Sequence, residues 1–164
     1  GAENGILIKS AQALEALCAM RAREGEAIRV DLRSRVDAIE RMTVAVEARY
    51  PQTVAAYTQR LRAAMEELAG SGVDETRLMM EVAVMADRSA IAEETVRLHS
   101  HIQQLRNVFE SPEPIGRRVD FIVQELNREV NTIGSKANDI TITGHMLDIK
   151  SEIEKIREQV QNIE

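Results

Sequence analysis

At 164 residues, with 44% hydrophobic and 29% charged content, the chain is long enough to bury a core and too apolar to stay disordered. A net charge of -6 argues against non-specific nucleic-acid binding by bulk electrostatics, although not against a local basic patch. The one cysteine, Cys18, excludes an intrachain disulfide or a multi-cysteine zinc site, and no run of about 18 apolar residues exists to span a membrane.

Aromatic residues make up 2% of the chain, there is no Trp, and the apolar content rests on Leu, Ile, Val, Ala and 7 Met. That composition suits long helices and poorly suits a β-sandwich. The expected fold class is all-α: an elongated bundle of about five helices, two of them long. GAENGILIKS has an apolar patch but no basic region before it, so it is not read as a signal peptide, and a reduced, cytoplasmic home follows by default. The chain opens on Gly and enters its first helix at once, which reads as a piece lacking a natural N-terminal part.

In chain order, Ser10 is expected to cap a helix running to about Arg49. Ile28, Leu32, Val36, Ile39, Thr43 and Val46 recur in it at three- and four-residue steps. Cys18 falls in this pattern as a small packing residue, and Gly25 marks a kink or a close approach. Pro51 fits the first position of a second helix that ends at Ala-Gly-Ser-Gly. Asp74 caps a third, with Arg77 three residues on, whose apolar seam reaches Phe109 before Ser-Pro-Glu-Pro stops it. A fourth helix covers Gly116 to Thr132 and loosens at Gly134. The last begins between Asp139 and Gly144, and Met146, Ile149, Ile153, Ile156, Val160 and Ile163 mark its buried side. Residues 1–111 form a long helical hairpin region and 112–164 a C-terminal region. Helices of roughly 35 to 40 residues would reach 50 to 60 Å, too long for a compact bundle of this size. Another domain or another copy of the chain is expected to cover part of their apolar stripe.

Polar residues in the third and fourth helices are unevenly chosen. Glu94, Arg97, His101 and Gln104 lie along one line of the third helix, and Glu125 and Glu129 share a face of the fourth. If the two helices pack antiparallel, these lines meet, and carboxylates with an imidazole form a pocket suited to Mg²⁺ or Mn²⁺. The same residues also suit a network of ion pairs at a helix or subunit interface, since Arg–carboxylate forks form readily. No Glu-x-x-His pair involves His99 or His101, which argues against a di-iron site. Arg117 and Arg118 stand in the first turn of the fourth helix, where exposed N–H groups favour anions; with Arg128 and Lys136 they are candidate phosphate contacts. No P-loop, G-x-G-x-x-G, H-E-x-x-H or G-x-S-x-G pattern is present.

GRRVDFIVQELNREVNTIGSKAND followed by LDIKSEIEKIREQVQNIE resembles the C-terminal signature of the bacterial YicC/YloC family. Upstream, MRAREGEAIRVDL and RLMMEVAVMADRSAIAEETVRLHSHIQQL resemble it too. The resemblance implies a cytoplasmic endoribonuclease that acts on RNA with a divalent cation, forms ring-like homo-oligomers and carries an N-terminal α/β domain outside this chain. The family pattern falls on Glu94, Arg97, His101, Glu125, Arg128, Glu129 and Lys136. The leading expectation takes Glu125 and Glu129 as catalytic, Glu94, His101, Glu125 and Glu129 as cation ligands, and Arg97, Arg128 and Lys136, with the first-turn Arg117 and Arg118, as RNA contacts. One departure is Ala90-Ile91, where the family usually has Asp-Ile. The competing expectation is a helical oligomerisation or RNA-binding module with catalysis in the N-terminal domain.

Overall fold

The computed structural model describes residues 1–70 and 72–163, which form five α-helices and no strand. The first, α1, runs from Ala2 to Ala69, 68 residues or about 100 Å at 1.5 Å per residue. The expected boundary at Pro51 does not occur, and the two helices expected on either side of it are one. Proline removes one N–H, so the Glu47 carbonyl loses its intrahelical donor. Pro51 is exposed, and water can serve that carbonyl while a half-buried stripe through Val54, Tyr57 and Leu61 continues past it. Ser10 is therefore interior to α1 and caps nothing. Gly70, at φ 61, ends the helix in the left-handed region that glycine tolerates best.

Residues 1–24 of α1 are exposed throughout. Cys18 is among them, so the packing role expected of it is corrected. No other backbone approaches Gly25, where a Cβ would meet nothing within 4 Å, and α1 runs on through it. Burial starts near Ile28 and is complete at Leu32, Val36, Ile39 and Val46.

The helix expected over 74–109 is two helices, α2 (Glu75–Ser89) and α3 (Ala92–Phe109). Asp74 caps α2 as expected, accepting from the Arg77 N–H at 3.2 Å. The break at Ala90 coincides with a contact from another helix. Tyr50 of α1 donates its hydroxyl to the Ala86 carbonyl at 3.0 Å, the acceptor that the Ala90 N–H would use in a continuous helix. Ala90 turns to the Asp87 carbonyl instead and takes extended backbone at ψ 128, while Ile91 is buried.

The remaining helices are α4 (Gly116–Lys136), longer than expected because Gly134 does not interrupt it, and α5 (Ile140–Ile163). The Asp-Ile-Thr-Ile-Thr piece starts α5, as a helical connector would, and Asp139 accepts from the Ile142 N–H at 3.1 Å. Asn138, at φ 43, reverses the chain between the two helices. Ile163 is the one member of the expected α5 stripe that stays exposed.

The second half of α1 packs with α3, α4 and α5 in a four-helix bundle in which α1 and α4 each touch α3 and α5. Neighbours run antiparallel, and ion pairs between them mark the register. Arg106 of α3 reaches Asp37 and Glu40 of α1 at 2.7 and 2.6 Å, and Arg35 of α1 reaches Glu152 of α5 at 3.1 Å. The interior is Leu, Ile and Val from all four helices, with Leu98, Ile102, Leu126, Ile149 and Ile153 essentially solvent-free. α2 packs on the distal part of α1, where Arg62 pairs with Glu75. No described helix is long and apolar enough to cross a membrane.

Candidate functional site

Antiparallel packing of α3 on α4 brings the two polar lines together. One register sets His101 opposite Glu125, Arg97 opposite Glu129, and the Ala90 break opposite Lys136. Donor atoms of His101, Glu125 and Glu129 lie within 4.8 Å of one another, and no other such group of His, Cys, Asp or Glu occurs among the described residues. Glu129 is 5% exposed; His101 and Glu125 are half-buried. His101 Nδ1 is sealed from solvent without a hydrogen-bond partner.

Glu94 stands apart from that trio. Its first-turn position in α3 suits a carboxylate facing the positive end of the helix dipole. It is 4% exposed, and its Oε1 receives Lys136 Nζ at 2.7 Å. The same ammonium donates to the Ala90 carbonyl at 3.3 Å, an acceptor freed by the break between α2 and α3. Burial pushes the Glu94 carboxyl up, but Lys136 and Arg97 outweigh it and hold it below its ordinary value. Glu94 Oε2 is buried and unpartnered.

Arg97 joins the two acidic centres. Its Nε donates to Glu129 Oε1 at 2.8 Å, and its outer nitrogens stand 3.6 Å from Glu94 and from Glu93. The Glu129 carboxylate raises the Arg97 guanidinium above its ordinary value. The sequence-derived candidates for RNA contact thus divide. Arg97 and Lys136 face carboxylates of the network, whereas Arg117, Arg118 and Arg128 are exposed. Arg117 and Arg118 line a shallow cleft of about 430 Å³ with Gln104, Asn107 and Phe121. Arg118 also reaches Ser111 Oγ at 3.4 Å. They lie about two turns before Glu125 on α4, roughly 10 Å along its axis.

The donor set fits a divalent cation. Bonds of about 2.0–2.5 Å to nitrogen and oxygen place ligand atoms roughly 3–5 Å apart, the range that the trio occupies. One imidazole with two carboxylates suits Mn²⁺ better than Mg²⁺, which prefers oxygen alone. Glu129 is buried with Arg97 on one oxygen, so its second oxygen is the one available. Sequence reasoning placed Lys136 among phosphate contacts and missed it as the counter-ion of Glu94. The helix register carries that signal, because any register that opposes Arg97 and Glu129 also brings Lys136 to the start of α3.

Residues 46–164 match the family described as Endoribonuclease YicC-like, C-terminal. The chain is 46% identical over 154 residues to a probable endoribonuclease YicC from Clostridioides difficile, covering 93% of this chain and 53% of that protein. It is 37% identical over 146 residues to a probable endoribonuclease YicC from Haemophilus influenzae, covering 89% and 50%. The chain therefore spans about half the length of the curated relatives it matches.

Proposed function

The chain belongs to the endoribonuclease YicC-like family, and from that premise we propose that it is the helical part of a cytoplasmic, divalent-cation-dependent endoribonuclease. The observation that carries the reading is the meeting of His101, Glu125 and Glu129 across two antiparallel helices. These three hold the cation, and Arg97 orients Glu129 by occupying one of its oxygens. A bound divalent ion would supply Lewis-acid polarisation of a phosphodiester and a lowered pKa for water. Arg117, Arg118 and Arg128 hold backbone phosphates, and bare carboxylates stay away from RNA by charge repulsion. Glu94 and Lys136 hold the start of α3 against the end of α4 and so fix the register of the cluster. Exposed Ile6, Leu7, Leu14 and Leu17 on α1 favour a homo-oligomer, in which a second copy covers them.

The test is cleavage of RNA by the full-length protein with Mn²⁺ or Mg²⁺, for the parent and for Glu125→Gln, Glu129→Gln and His101→Ala. Each variant should lose on the order of 100-fold in kcat, the range typical of a single catalytic or ligand group. Mn²⁺ affinity, followed by calorimetry without RNA, should fall by roughly tenfold or more. Undiminished cleavage in the two glutamine variants would remove these carboxylates from the chemistry.

A second reading has its own observation. Arg97 and Lys136 already balance Glu129 and Glu94 in charge, as a purely structural network would. On that reading the variants lower Tm or change oligomer mass, with no effect of added cation on either.

A further inference from the structure

Where α1, α2 and the end of α4 meet, they enclose a cleft of about 430 Å³. Of the residues assigned above, only Lys136 lines it. Arg60 of α1 and Arg88 in the last turn of α2 line it as well, against a single carboxylate, Glu81. Positive charge is thus concentrated at one place on a chain whose net charge is -6. Arg33, Arg35, Arg49, Arg62, Arg97 and Arg106 each face a carboxylate. Arg60 and Arg88 have no such partner among the described residues. Two unpaired guanidinium groups at one cleft make a receptor for an anion with several acceptor oxygens, while Lys136 beside them is engaged by Glu94. Phosphate meets that description, because the planar fork of Arg matches its geometry. Tyr57 stands half-buried in the same wall.

We propose that this cleft is a phosphate subsite for the RNA backbone, separate from the His101–Glu125–Glu129 cluster. Lys136 lies seven residues beyond Glu129 on α4, so the two sites stand roughly 10 Å apart along the helix. With Arg117 and Arg118 on the opposite side of the cluster, the strand is held both before and after it. The subsite rests on the RNA reading given above, and it assigns Arg60 and Arg88 to binding, with no part in the chemistry.

The experiment uses the full-length protein and an end-labelled single-stranded RNA, with binding followed by anisotropy in EDTA as KCl is varied. Arg60→Ala/Arg88→Ala should weaken binding on the order of tenfold. It should flatten the log–log salt slope by about 1.4, since each phosphate contact on a single strand contributes roughly 0.7. Lys9→Ala/Arg23→Ala, which loses the same charge on the exposed start of α1, should leave the slope where it was. Cleavage by Arg60→Ala/Arg88→Ala at limiting RNA with Mn²⁺ should fall with the lost affinity, on the order of tenfold in kcat/KM. An unmoved slope, or an equal change in both double variants, overturns the subsite while parental cleavage leaves the nuclease reading standing. A parent that neither binds nor cuts RNA overturns both.

Discussion

Glu94 is the residue whose environment is most demanding. A carboxylate at 4% exposure with one unpartnered oxygen is tolerated only because Lys136 and Arg97 hold its charge in place. Its pKa is lowered from an ordinary value of 4.5, so its stabilising effect is complete above that value and fades as pH falls through the lower, folded one. Glu94→Gln should therefore cost about 2 kcal/mol near neutral pH, the scale of one charge-assisted hydrogen bond. The difference in Tm between parent and variant should close in acid. A gap that stays constant from neutral to acid pH would mean that the Lys136 pair contributes nothing through charge. Arg106, Glu40 and Asp139 show the same physics: paired guanidinium groups shift up and paired carboxyls shift down.

At the scale of elements, the break between α2 and α3 is the decisive feature, since it supplies the Ala90 carbonyl that anchors Lys136. Tyr50 maintains it by occupying the Ala86 carbonyl and meeting Ser89 Oγ at 3.1 Å. Tyr50→Phe removes that donor and should destabilise the fold by about 1 kcal/mol, measured by urea denaturation. It should also loosen Lys136, seen as faster amide exchange at the start of α3. No change in either would leave the break to Ile91 burial alone. The same break explains what the sequence could and could not disclose. Seams such as Leu98–Ile102–Leu105 and Ile149–Ile153–Ile156 are periodic, so helix identity and the all-α class are legible in them. The antiparallel meeting of the His101 and Glu129 lines is legible for the same reason. Ends are another matter. Pro51 carries a helix-start signal, yet the apolar stripe on both sides of it outweighs one lost hydrogen bond. Ala90 carries no breaker signal, because the hydroxyl that displaces its bond comes from another helix. The pairing of Lys136 with Glu94 follows from the same register as Arg97 with Glu129, and is a property of that register and not of either residue alone.

For the whole molecule, the bundle and the start of α1 are separate in packing. Residues 1–24 are exposed along their entire length, so little buried surface holds them to the bundle. Deleting them should leave the cooperative Tm of the isolated chain within about 3 °C, as expected for removal of surface residues. The far-ultraviolet helical signal should meanwhile drop by their share of the chain. A larger loss of Tm would show that a second copy covers Ile6, Leu7 and Leu14 in solution. One more consequence concerns how this segment comes to be helical at all. Starting a helix is unfavourable by a factor of roughly a thousand, whereas lengthening one is nearly neutral. The turn through Ile28 and Leu32, fastened to the bundle, acts as the nucleus, and the preceding residues merely propagate from it. On warming, unwinding should therefore start at Ala2 and advance inward, a gradual fraying that precedes and stays distinct from the step in which the bundle melts.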